Sequence, residues 1–476
     1  MNLNQTLQEK YPHLEVSVLK LSEVKKNIDF RIDDSFWTMK LIYNNKLNYK
    51  KIGECLLKSQ YGISINMNEE GDGIPIYRMN DIDNMLCNFE VKKYALIDKN
   101  ELQTFRLNYG DVLFNRTISY EFVGRTGIFY NNRENFVFAS YLVRLVCNKE
   151  ILLPEYLTVF LNTHIGKKEI RRRARPSINQ ANVNPEELKE IKIPIFPMEF
   201  QLEIQNLVKD SHKALEESKE LYKKAEETLY LELGLDPKNP LQSLLDSKTN
   251  NPTKSLNISI HTLKESFLKT GRLDSEYYQS KYEDIEKFIK SYPNGYDSFS
   301  NIINNKDTNF TPKNNENYSY IELANIGNNG NISEPISDLG KNLPTRARRI
   351  VSKGDVIISS IEGSLSSCAL ITQEFDKHLV STGFFVLNSK LLNGETLLVM
   401  FKSQIFQEYL KKFPSGTILC AINKEELSKI LIPKIDSTTQ EKIAKYIQES
   451  FNLRKKSKQL LDNAKNKVEE QIQGKI

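Results

Sequence analysis

Gly110-Asp-Val-Leu-Phe114 recurs as Gly354-Asp-Val-Ile-Ile358, 244 residues further on. Each copy opens with a Gly-Asp turn signal and runs into three apolar residues, the pattern of a turn feeding a buried strand. Other landmarks flank both copies in the same order. Ile76-Tyr-Arg-Met-Asn-Asp-Ile82 lies opposite Tyr320-Ile-Glu-Leu-Ala-Asn-Ile326, also at 244. Leu14–Val18 answers Leu256–Ile260 at 242, and Arg31-Ile-Asp-Asp34 answers Arg272-Leu-Asp-Ser275 at 241. Beyond the strand, Asn184-Pro-Glu-Glu-Leu188 with Ile193-Pro194 matches Asn423-Lys-Glu-Glu-Leu427 with Ile432-Pro433, at 239. Five pairs in one order, with offsets that drift by a few residues, make the chain a tandem duplication.

Inside each half, β-rich runs such as Gly124–Tyr130, Tyr141–Val146 and Gly383–Leu387 alternate with Gly/Asn turns, while helical patterns follow at Glu155–Thr163 and Glu395–Phe406. The fold class predicted is α+β: a strand-rich domain with a short amphipathic helix before its last strand, present twice, each copy followed by a long helix.

Those long helices follow each Ile-Pro. The segments lack proline and are rich in Glu, Lys, Leu, Gln and Ala. A 4,3 spacing selects Ile204, Val208, Ser211, Leu215, Ser218, Tyr222, Ala225 and Leu229 in the first. Adding 239 selects Ile443, Ile447, Ser450, Arg454, Ser457, Leu461, Ala464 and Val468 in the second. Ser and Ala alternate with apolar residues on both seams, which permits close backbone approach, with Arg454 expected to snorkel its charge to the edge. Residues 198–233 carry a net charge of −4 and residues 438–476 a net of +4, so the helices should attract. The expected organisation is a first domain at 1–197, a helix at 198–233, a linker at 234–255 marked by Gly234-Leu-Asp-Pro-Lys-Asn-Pro240, a second domain at 256–437 and a helix at 438–476.

The chain has 476 residues, 39% hydrophobic, 27% charged and 10% aromatic, a globular composition long enough for several buried cores. No apolar run suits a membrane span and no secretory leader pattern opens the chain, so a cytoplasmic protein without membrane contact is expected. Cys55, Cys87, Cys147, Cys368 and Cys420 are too dispersed for a zinc ribbon or a redox dithiol and read as small buried hydrophobes.

Enzymatic signals are missing. The sequence has neither a G-x-x-x-x-G-K-[ST] loop nor a strand-borne G-x-G-x-x-G, and its five histidines show no metal-ligand or triad spacing. Glu-x-Lys tripeptides at 90–92 and 190–192 lack an adjacent Pro-Asp, and the repeated Asp111 and Asp355 read as turn residues. No catalytic residue and no metal ligand is therefore assigned.

What stands out is a binding inventory. Asn115, Arg116 and Thr117 follow the Gly-Asp strand, and Arg125 follows Gly124. Arg171, Arg172, Arg173 and Arg175 precede Asn179 and Gln180, while the second half offers Arg346, Arg348, Arg349, Ser359 and Ser360. Arginine neutralises phosphates and pairs with guanine edges, and Asn and Gln pair with adenine, so these are candidate DNA contacts. The net charge of +5 is too small to carry that reading alone.

In its doubled order, the set Gly-Asp-Val-[Leu/Ile]-[Phe/Ile], Asn-x-Glu-Glu-Leu, Ile-Pro and a glutamine-bearing helix start (Gln201-Leu-Glu-Ile204, Gln440-Glu-Lys-Ile443) resembles the DNA specificity (S) subunits of type I restriction-modification systems. The resemblance covers nearly the whole chain. It implies two target recognition domains reading a bipartite DNA sequence, their helices forming an antiparallel coiled coil. It further implies no catalytic site and no cofactor in this chain. Its partners are then double-stranded DNA, methyltransferase (M) subunits and restriction (R) subunits, with S-adenosylmethionine, ATP and Mg held by those subunits. A helix of about 34 residues rises about 50 Å, a spacer on the scale of about 15 base pairs. The alternative is the recognition subunit of a related methyltransferase or phage-defence system lacking the type I nuclease. The halves differ where Ser359-Ser360 replaces Asn115-Arg116 and where only Lys411-Lys412 stands opposite the cluster at 171–175.

Overall fold

A computed structural model describes residues 3–246 and 260–474, apart from positions 15, 17, 40, 89, 132–134 and 417–419. Most of the landmark Leu256–Ile260 and the polar part of the expected linker, 247–255, lie outside the described residues. The chain forms two compact units. The first comprises residues 1–215 and 455–476, the second residues 216–454.

In the first unit the strand opened by Gly110-Asp111 is Val112–Asn115, buried along its length. It sits inside a six-stranded sheet, pairing antiparallel with Leu142–Cys147 on one side and Thr126–Ile128 on the other. In the second unit Val356–Ser359 takes the same place in a four-stranded sheet, between Phe384–Ser389 and Cys368–Leu370. The strand register repeats too: Val112 faces Leu145, and Val356 faces Leu387. Against each sheet pack buried helices, Pro154–Asn162 in the first unit and Gly394–Lys402 in the second.

The helical run predicted over Glu395–Phe406 is two helices, Gly394–Lys402 and Gln404–Leu410. Ser403 leaves helical geometry and its hydroxyl caps the next helix by accepting from the Phe406 N–H. Thr163 does the same in the first unit, starting His164–Arg173. A third short helix, Pro185–Lys189 or Lys424–Lys429, follows before the last strand. The single helix expected there is therefore corrected to three, because a Thr or Ser cap starts the second and an Asn cap the third where the chain must turn.

The sequence landmarks are the polar fasteners of each unit. Gly110 and Gly354 have φ of 89° and 88°, left-handed values that favour glycine. The following carboxylates accept from the backbone: Asp111 from the Asn108 N–H at 2.9 Å, Asp355 from the Ser352 N–H at 2.8 Å. Asn184 and Asn423 cap their helices. Arg31 grips Asp33 and reaches Glu187 at 3.1 Å, while Arg272 grips Asp274 and stands 3.8 Å from Glu426. Gln201 takes the Leu153 N–H and donates to the carbonyls of Ile151 and Phe196. Gln440 repeats this with Asn393, Leu391 and Ile435. Each glutamine thereby ties the start of a long helix to the sheet-and-helix domain before it.

The long helices are Met198–Glu232 and Ser437–Gln473. Each contributes to both units, and in each unit the two segments run antiparallel. In the first unit Ser211 meets Ser457 with Oγ atoms 2.8 Å apart, and Glu203 pairs with Lys467 at 2.8 Å. In the second, Ser218 meets Ser450 at 3.0 Å and Thr439 donates to Glu232. Adding the offset of 239 to Ser211 and Ser218 yields Ser450 and Ser457, so one contact is made twice. Of the predicted seam residues all are buried except Leu215 and Arg454, which are partly so. Arg454 does not carry its charge to water. Its Nε and Nη2 are enclosed, its Nη1 donates to Asn331 at 3.4 Å, and burial lowers its pKa. The guanidinium found a side-chain acceptor in the second unit, so the expected snorkelling is corrected. Within the stretch read as linker, Pro240–Asp246 is helical and Leu244 joins the second unit's core.

Candidate nucleic-acid interface

The arginine run at 171–175 divides by helical geometry. On the helix His164–Arg173, Arg173 turns inward to a buried ion pair with Glu169, four residues back. Arg172 lies over the Phe36 ring at 4.2 Å and donates to the Phe36 carbonyl at 2.6 Å; burial lowers its pKa. Both are scaffold residues. Arg171 points to solvent on the same face as Lys167, four residues earlier. Arg175 is half-exposed and pairs with Asp29.

Arg175–Ser177 and Gln180–Asn182 form a hairpin whose turn is Ile178-Asn179. Asn179 and Gln180 are exposed, Asn179 has φ of 62°, and Ile178 at the tip is 92% exposed. The hairpin pairs with Thr117–Ile118, bringing Asn182 Nδ2 to the Thr117 hydroxyl at 3.0 Å. Arg116 stands over the Tyr61 ring at 5.0 Å. Asn115 is wholly buried and donates to the Met79 carbonyl, which removes it from any surface contact.

Arg125 stacks on the Phe122 ring at 4.0 Å and borders a cleft with Lys167, Arg171 and Lys465. Burial, followed by the charges of Lys465, Arg171 and Arg125, holds the Lys167 ammonium below lysine's usual range.

In the second unit Arg346 and Arg348 are exposed on or beside the strand Ala347–Ile350, and Arg348 donates to the Thr345 carbonyl. Arg349 is partly buried and donates to the Phe384 carbonyl; burial lowers its pKa. Ser359 is buried against the Ser364 hydroxyl at 2.8 Å, and Ser360 donates to Gly383. Asn115, Arg173 and Ser359 thus face inward, while Arg116, Thr117, Arg125, Arg171, Arg175, Asn179, Gln180, Arg346 and Arg348 reach or border the surface.

Twice in one chain, then, a fastened sheet-and-helix scaffold presents arginine side chains at its surface, joined in the first unit by exposed amides. A family model described as type I restriction modification DNA specificity domain matches residues 50–227. The MjaX type I restriction enzyme specificity subunit of Methanocaldococcus jannaschii is 22% identical over 424 residues, spanning 88% of this chain and 91% of its own. Residues 50–227 thus resemble the type I restriction-modification DNA specificity domain, and most of the chain is similar to a specificity subunit. The EcoKI specificity subunit of Escherichia coli is 27% identical over 161 residues, covering 33% of this chain and 34% of that one. A solved type I S subunit from M. genitalium is 15% identical, with 90% of this chain and 96% of that chain covered at a TM-score of 0.43.

The interface candidates missed by sequence reasoning are Lys167, Lys465 and Ile178. Lys465 belongs to a helix segment read only for its seam, and no local pattern places it beside Arg125. Four of the five cysteines are buried, with the Cys368 thiol pushed up to about 12 by burial. Among the described residues no helix is long and apolar enough to cross a membrane, and no group of three or more His, Cys, Asp or Glu is placed to hold a metal ion.

Proposed function

We propose that the chain is the non-catalytic DNA-specificity subunit of a type I restriction-modification complex, reading a bipartite duplex sequence with residues 1–197 on one half and 256–437 on the other. It docks methyltransferase and restriction subunits, which supply S-adenosylmethionine, ATP and Mg. The observation that carries this reading is the contrast between interior and surface in the two copies. Arg31 and Arg272, Gln201 and Gln440, and the two Gly-Asp turns make equivalent bonds, whereas the exposed side chains differ. Two readers on one scaffold, each with its own loops, suit a target of two unlike halves. The exposed amides and guanidiniums supply the groups that read base edges and neutralise phosphates.

Co-expression with its methyltransferase partner and mapping of methylated positions in host DNA tests this. A split motif with an unread gap is expected. A continuous motif, or methyl transfer by the purified chain alone, would overturn it.

A further inference from the structure

The first unit contains a cleft of about 320 Å³ whose lining gathers Arg125, Lys167, Arg171 and Lys465. Three of these cations have no carboxylate within ion-pair distance among the described residues; Lys465 pairs with Asp462 at 2.7 Å across its own helix turn. Glu469 offsets part of the repulsion on Lys167, but the net charge of the cleft stays positive, and an anion bound among the four cations relieves what remains. The acidic lining groups, Asp83 and Glu121, are outnumbered two to one. The Arg125 guanidinium lies over the Phe122 ring at 4.0 Å, which places its N–H donors at the cleft. Lys167 and Arg171 rise from adjacent turns of one helix.

The corresponding place in the second unit has lost this character. By the repeat, Arg125 becomes Ser367, Lys167 becomes Gln407, Arg171 becomes Lys411 and Lys465 becomes Glu226. Gln407 donates to the carbonyls of Leu365 and Phe401, and Lys411 is paired with Glu408 at 2.7 Å. The cationic cleft is therefore not a by-product of the scaffold.

We propose that this cleft anchors one backbone phosphodiester of the bound duplex, with Lys465 of the second long helix closing the site opposite Arg125, Lys167 and Arg171. The inference rests on the DNA-recognition reading above and adds to it a sequence-independent contact, made by one recognition domain only, to which the second long helix contributes directly.

The test measures binding of the full chain and of its R125Q/K167Q/R171Q/K465Q variant to a labelled mixed-sequence duplex over a salt series. Loss of one phosphate contact lowers the slope of log K against log salt by about 1, with about tenfold or greater loss of affinity at low salt. A second variant, Glu121→Gln, leaves all four cations in place and is expected to tighten binding by about two- to threefold. Equal slopes and affinities for the wild type and both variants would overturn the phosphate anchor while leaving DNA recognition standing. A wild-type chain without salt-dependent duplex binding would remove the DNA reading itself. Inorganic phosphate in the millimolar range, followed by thermal shift, separates sources. Stabilisation of the wild type but not the fourfold variant, with duplex binding unchanged, would assign the cleft to free phosphate and reject the DNA contact.

Discussion

Where the first unit has Lys167 and Arg171 facing a cleft, the second has Gln407 tied to two carbonyls and Lys411 tied to Glu408. At the start of the long helices the units agree bond for bond, with Gln201 and Gln440 each making the same three hydrogen bonds. The difference follows from solvation. A buried amide that satisfies three backbone groups has no inexpensive replacement, because each group would then be stranded away from water. A cation at the surface satisfies no backbone group, so its position is free to follow the ligand.

The strongest way to break the equivalence of the fasteners is at the arginines. Arg31→Ala leaves the buried Glu187 carboxylate with only the longer 3.7 Å pair to Arg175 and is expected to cost about 3 kcal/mol in denaturant unfolding. Arg272→Ala should cost less, because Arg272 is 3.8 Å from Glu426 and more exposed than Arg31. Equal losses would show that the longer distance in the second unit has no energetic meaning. Next come Gln201→Ala and Gln440→Ala, each expected to lose about 2–3 kcal/mol from one orphaned N–H and two carbonyls. A large loss at one and none at the other would refute the matched anchoring of the two helices.

The serine contacts sharpen the comparison further. Ser211→Ala leaves the Ser457 hydroxyl without its partner at a cost of about 1 kcal/mol, whereas the S211A/S457A double variant should return close to wild type. S450A and S218A/S450A should repeat that pattern in the second unit. The smallest effect is acid sensitivity. Burial pushes the Asp33 carboxyl up, but the hydrogen bonds from Arg31 and Ser35 outweigh it and hold the pKa at about 2. With a folded value below the ordinary carboxylate range of about 3.9, its contribution is complete above about pH 4 and fades as pH falls towards 2. Asp274 is lowered by its bond to Arg272, so both units should lose stability over the acid limb, and Arg31→Ala should flatten that limb for the first. A pH series of unfolding midpoints checks this.

The parts legible in the sequence are those where a local pattern and a physical requirement coincide. A Gly-Asp turn before three apolar residues specifies Val112–Asn115 and Val356–Ser359, and a 4,3 spacing of apolar and small residues specifies the seam. The helix restarts at Thr163 and Ser403 escape that logic because apolar periodicity runs through both caps. The arginine cluster shows the limit for the interface. Four arginines within five residues look alike in sequence, yet helix phase sends Arg173 inward to Glu169 and Arg172 onto Phe36, leaving Arg171 for solvent. Asn115 and Ser359 are polar and follow an apolar strand, so they read as loop residues, but the strand extends through them and takes their side chains inside. The cationic cleft draws on a hairpin loop, a short helix and the far end of the chain, a convergence that only the folded chain makes visible.

Exchanging residues 1–197 for the corresponding domain of a specificity subunit with a known, different target, then mapping methylated positions in host DNA, is the most direct test. One half of the motif should change to the donor's half while the other half stays as in the parent chain. A motif altered in both halves, or in neither, would contradict independent reading by the two copies.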